Sequence, residues 1–180
     1  MALLAPAARS VVASGAAILL LSGVAACSSK GASSTVKASE AAQVIGSAYS
    51  LSPDQISCLE KGFGAKPAAT RPLASDGAAT DSDLQALGTV ENACIAPETL
   101  AAAVLAGFKQ GLTSLTTAQE ACLNHAMTGL SDGDRSTLLV GLAVNSALGE
   151  VQQAELGRVT NGLLETCQLA ITAPTTAPAN

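Results

Sequence analysis

Five cysteines, at positions 27, 58, 94, 122 and 167, set the terms on which this 180-residue chain can fold. No C-x-x-C pair occurs, which removes support for zinc-ribbon and thioredoxin-type folds. Aromatic residues make up 2% of the chain, namely Tyr49, Phe63 and Phe108, and Trp is absent. A core short of rings forgoes the roughly 150–250 Å² that each buried aromatic contributes. Cross-links offset that deficit, since a disulfide closing a loop of a few tens of residues contributes on the order of 3–4 kcal/mol.

Whether the cysteines pair depends on compartment, and the N-terminus bears on that. Residues 1–26 read as an export signal: Arg9 in the n-region, an apolar run from Val11 to Leu21, then small residues through Ala26. That run is shorter than the ~20 residues a membrane-spanning helix needs. Val24-Ala25-Ala26-Cys27 resembles the bacterial lipobox. The resemblance implies cleavage after Ala26 and diacylglyceryl attachment at Cys27; two acyl chains suffice for stable anchoring. Residues 27–38, rich in Ser, then form a flexible tether. Without its signal the chain carries eight basic and fourteen acidic residues, a formal net charge of −6.

With Cys27 assigned to lipid, an even set remains: Cys58, Cys94, Cys122 and Cys167. In an exported chain this predicts two disulfides, with three connectivities open. Internal similarity favours one of them. Leu51-Ser52-Pro53-Asp54-Gln55-Ile56-Ser57-Cys58-Leu59 aligns without gaps on Leu115-Thr116-Thr117-Ala118-Gln119-Glu120-Ala121-Cys122-Leu123. Both segments carry a capping box, with Ser52 or Thr116 at N-cap and Gln55 or Gln119 at N3, and Pro53 suits N1. Each unit then ends on its own second cysteine, so the expected pairs are Cys58–Cys94 and Cys122–Cys167.

The chain reads as helix throughout, because apolar residues recur at helical spacing and no run alternates with period two. The stripes are Ile56, Leu59 and Phe63; Leu84, Leu87, Val90 and Cys94; Leu100, Val104 and Phe108; Leu123, Met127 and Leu130; Leu138, Leu139 and Leu142; and Leu156, Val159, Leu163 and Cys167. Residues 65–80, with Pro67, Pro72 and Gly77, read as a mobile loop. Gly88, Gly141, Gly157 and Gly162 each cost about 1 kcal/mol against Ala inside a helix; close helix contacts would compensate. The expectation is an all-α, disulfide-stapled bundle of about six helices over 39–171, in two similar halves, 39–96 and 97–171. A disordered Thr/Ala/Pro tail follows at 172–180.

Leu115-Thr116-x-x-Gln119-x-x-Cys122, Leu130-Ser131-Asp132-x-Asp134-x-x-x-Leu138 and the closing Cys167 resemble a helical two-cysteine module of small exported proteins and lipoproteins of actinobacteria. The resemblance covers residues 112–169 well and 50–96 in degraded form. It implies location and fold, and brings no assigned activity or catalytic residues.

Chemistry-bearing patterns are sparse. His125, the only histidine, lies one turn after Cys122 and lacks an orienting group or third ligand, so it reads as a surface residue beside a disulfide. Asp132-Gly133-Asp134 mimics the start of a calcium loop, yet Thr137 replaces the Gly at position six and Ala143 the Glu at position twelve. It reads as a helix start. G-x-S-x-G, H-E-x-x-H, P-loop and G-x-G-x-x-G motifs are absent, and the basic residues form no cluster suited to nucleic acid. Phe63, Phe108 and Met127 fit core better than a ligand cavity. No catalytic residue, metal ligand or cofactor is therefore assigned. The expected function is non-enzymatic binding at the cell envelope, to an envelope protein or an apolar ligand, by a domain anchored outside the cytoplasm. A lipid carrier and an envelope hydrolase lacking a recognisable motif are the alternatives.

Overall fold

The structure, a computed structural model, describes residues 36–74, 79–111, 115–144 and 148–169. The signal segment, Cys27, the tether up to residue 35 and the tail lie outside the described residues. Seven α-helices and one 3₁₀ helix are present, against the six or so expected, and no strand occurs among the described residues. The α-helices are α1 (Ala38–Tyr49), α2 (Pro53–Ala65), α3 (Asp81–Cys94), α4 (Pro97–Gly111), α5 (Thr117–Thr128), α6 (Asp132–Val144) and α7 (Glu150–Thr166). Helix α1 begins inside the stretch assigned to the tether, and Val36 before it packs against the core.

Local chemistry places the helix starts. Both expected capping boxes form: the Gln55 amide donates to Ser52 Oγ and the Gln119 amide to Thr116 Oγ1, with each glutamine reaching back to the cap N–H. Thr80 and Asp83 make a third box at the start of α3. Helix α1 stops because Ser50 turns left-handed, with φ of 53°, which lets the Leu51 N–H reach the Gly46 carbonyl at 2.9 Å.

The loop expected over 65–80 is in part a structured element. Pro67–Leu73 forms the 3₁₀ helix and buries Ala69, Thr70 and Pro72. Two prolines fix φ there, Thr70 Oγ1 donates to the Pro67 carbonyl at 3.0 Å, and α3 packs along the segment. Arg71 adds an ion pair to Asp83 at 3.3 Å.

The two halves pack in parallel fashion. Helix α1 lies on α2, as α4 lies on α5. Cys58–Cys94 staples α2 to α3, and Cys122–Cys167 staples α5 to the end of α7, the pairing the internal similarity favours. The halves then join through α3 and α6. One continuous core results, with Phe63, Leu87, Leu100, Leu123, Met127 and Leu139 almost wholly buried.

Of Gly88, Gly141, Gly157 and Gly162, two sit at close contacts. A Cβ on Gly88 would lie 2.0 Å from Ser136 Oγ across α3 and α6, and one on Gly141 would meet both Leu156 methyl carbons, at 2.6 and 2.7 Å. Gly157 and Gly162 have no atom within 4 Å of such a Cβ, so close contact does not account for them.

Candidate functional site

The residues singled out from sequence do not converge. Cys58, Cys94, Cys122 and Cys167 are all consumed in disulfides, so Cys122 cannot serve His125 as a nucleophile. His125 is exposed on α5. Ser131 caps α6, accepting from the Asp134 amide at 3.1 Å. The Asp134 carboxylate takes the Ser131 hydroxyl at 2.8 Å and pairs with Arg158. These two hydrogen bonds, the serine's foremost, hold its pKa below the usual carboxylate range. Asp132 pairs with Arg135 at 3.2 Å. The Asp-Gly-Asp segment is thus committed to helix capping and ion pairs. Phe63 and Met127 are core, and Phe108 packs half-buried against it.

A cleft of about 230 Å³ opens between α3, α6 and α7. Leu84, Val140 and Leu148 form its floor, and Asp81 and Glu155 stand on its rim. Gln152 from α7 bonds to Asp81, tying the two helix starts together. Glu155 accepts from Arg158 at 3.0 and 2.7 Å, an interaction that lowers its pKa. The rim therefore presents carboxylates, one of them neutralised by an adjacent arginine.

A different group stands out chemically, and sequence inspection passed over it. Glu91 on α3 is fully buried, and among the described residues neither carboxylate oxygen has a hydrogen-bond partner. Burial pushes its pKa up to about 8. Tyr49, at the end of α1, lies near it. The phenol donates to the Leu139 carbonyl of α6 at 2.9 Å. Its pKa sits well above the ordinary phenol value, first through burial and second through the Glu91 charge. Glu91 thus sits on α3, the helix through which the first half packs on α6, near the Tyr49–Leu139 bond. Beside it, Arg135 of α6 binds the Asn92 side chain and, at 3.4 Å, the Asn92 carbonyl, clamping α6 onto α3.

The signal for Glu91 was present in the sequence. It falls seven residues after Leu84 and four after Leu87, squarely on the buried stripe of α3. An acid at such a spacing has either a buried partner or a raised pKa.

Compared with protein-family profiles, curated proteins and solved structures, the chain matches none.

Proposed function

We propose that this chain is an extracytoplasmic lipoprotein, held at the cell membrane by acyl chains on Cys27, whose helical domain works by binding a partner protein rather than by catalysis. The cysteine inventory carries this reading. The four cysteines after residue 27 pair with one another, as suits an oxidising compartment; Cys27 is the fifth, outside both pairs. That cysteine closes the sequence Val24-Ala25-Ala26-Cys27 behind an apolar run. The nine residue steps from Cys27 to Val36 span at most about 30 Å, so an anchored domain works within a short distance of the bilayer.

The binding part of the proposal draws on surface shape and charge. The α3–α6–α7 cleft is smaller than the roughly 300–1,000 Å³ of small-molecule sites. Its apolar floor and carboxylate rim suit an inserted basic or amphipathic side chain of another protein better than an apolar cargo. Phe63 and Met127 are packed into the core with Phe108 against it, which favours a partner protein over a lipid cargo.

Metabolic labelling with an alkyne fatty acid in the native bacterium tests the anchor. Wild type takes up label and Cys27→Ala does not; an unlabelled wild type overturns the proposal. For the cleft, Thr137→Arg places a bulky cation on its wall. A specific protein cross-linked by wild type but not by this variant supports the binding site, and equal cross-linking by both refutes its location.

A further inference from the structure

We propose that Glu91 is a proton-operated latch: as the neutral acid it lets α3 and α6 close on a dry joint beside the Tyr49 hydroxyl, and on losing its proton it loosens that joint. The device resides in the fold and does not depend on where the domain is anchored.

The geometry carries the argument. Both Glu91 oxygens are sealed from water and unpartnered among the described residues, so no cation or donor compensates a carboxylate there. An ionised, unpaired carboxylate in such a site is far less favourable than the acid. It either stays protonated or gains water by local opening. The groups that could relieve it are engaged or remote. From α1 the facing group is Tyr49, whose hydroxyl is given to the Leu139 carbonyl. On α6, Arg135 is held by Asn92 and Asp132, and Asp134 by Ser131 and Arg158. On the 3₁₀ helix, Arg71 is paired with Asp83. The ionisable side chains of α2, Asp54, Glu60 and Lys61, are exposed, and Cys58 is oxidised. Tyr49, the group that feels the carboxyl's charge among the described residues, offers no charge to balance it.

The location makes the latch consequential. The Tyr49–Leu139 bond joins the first half to the second, and the carboxyl lies beside it, between the Gly88–Ser136 contact and the Cys94 staple. Opening at Glu91 therefore loosens the α3–α6 joint and the Tyr49–Leu139 link, while α1 stays packed on α2 and both disulfides hold.

The sign follows from proton linkage. The folded chain holds a proton on Glu91 that the unfolded chain gives up at the ordinary glutamate value of 4.5 and the folded chain near 8. Stability falls across that window and levels off above it. In the limit the folding constant drops about tenfold per pH unit, roughly three orders of magnitude in all.

The test is urea unfolding of the oxidised protein at intervals from pH 4 to 10, with Glu91→Gln alongside, and carboxyl ¹³C NMR of wild-type Glu91. The proposal expects the Glu91 carboxyl to titrate well above 6. It also expects amide exchange near Tyr49 and Leu139 to rise over the same range beyond the intrinsic base-catalysed rate, and Glu91→Gln to flatten both trends. A Glu91 carboxyl titrating near 4.5 overturns it. A carboxyl titrating high with no extra exchange at Tyr49 and Leu139 overturns the loosening. The NMR reading on wild type decides the matter even if Glu91→Gln does not fold.

Discussion

Gly141 and Gly162 are both helix-interior glycines, yet alanine should stabilise the chain at Gly162 and fail to do so at Gly141. At Gly162 a methyl group meets nothing within 4 Å, so Gly162→Ala gains helix propensity, about 1 kcal/mol. At Gly141 the methyl would lie 2.6 and 2.7 Å from the two Leu156 methyl carbons and 3.1 Å from Leu156 Cγ. The Leu156 methyls must swing away and Cγ must give by a few tenths of an ångström, which strains the α6–α7 contact. Overpacking of this kind costs about 1–3 kcal/mol. Set against the same propensity gain, Gly141→Ala should be neutral to about 2 kcal/mol destabilising. Leu156→Ala creates room, so the double variant Gly141→Ala/Leu156→Ala should be more stable than the sum of the single effects, by roughly 1–2 kcal/mol of coupling. Urea unfolding of the oxidised protein, at constant m-value, measures all four. Gly141→Ala stabilising as much as Gly162→Ala, with no coupling to Leu156, would refute the close α6–α7 approach.

Three further outcomes are expected. Replacing Cys58 and Cys94 by Ser opens a loop of 36 residues, and Cys122 with Cys167 one of 45; each pair should cost on the order of 4 kcal/mol, read from denaturant midpoints, and near-equality with wild type contradicts a structural role. Asp83→Asn should flatten the acid side of the stability profile. The Thr80 hydrogen bonds, ahead of Arg71, lower the Asp83 pKa in the folded chain, so that stabilisation is present above 3.8 and is lost as pH falls through the depressed folded value. An unchanged acid limb in Asp83→Asn would count against the cap. Ser50→Gly should stabilise by about 0.5–1 kcal/mol, because Ser50 holds a φ of 53° that glycine adopts without a Cβ clash; a loss of stability on thermal denaturation would contradict this.

What was legible in the sequence was local or pairwise. Ser52–Gln55 and Thr116–Gln119 announce helix starts through their own side chains, and the stripes ending at Cys94 and Cys167 state which faces turn inward. The disulfide pairing followed because each unit repeats the same cap-to-cysteine pattern. Tertiary effects were harder to see. Pro67 and Pro72 signal a helix breaker, yet packing of α3 turns that stretch into a buried 3₁₀ helix. Gly141 and Gly162 look alike until the neighbouring helix is in place. Glu91 was visible by spacing, but an acid among polar neighbours on α3 passes for a solvated one unless its register against Leu84 and Leu87 is followed.

The anchoring of this disulfide-stapled domain is tested most directly by the mass of the N-terminal peptide of the protein purified from its native membrane. The expected peptide begins at Cys27 and carries a thioether-linked diacylglyceryl group, stable to thiol reductants. An unacylated peptide with a different N-terminus, or one retaining residues before Cys27, would contradict it.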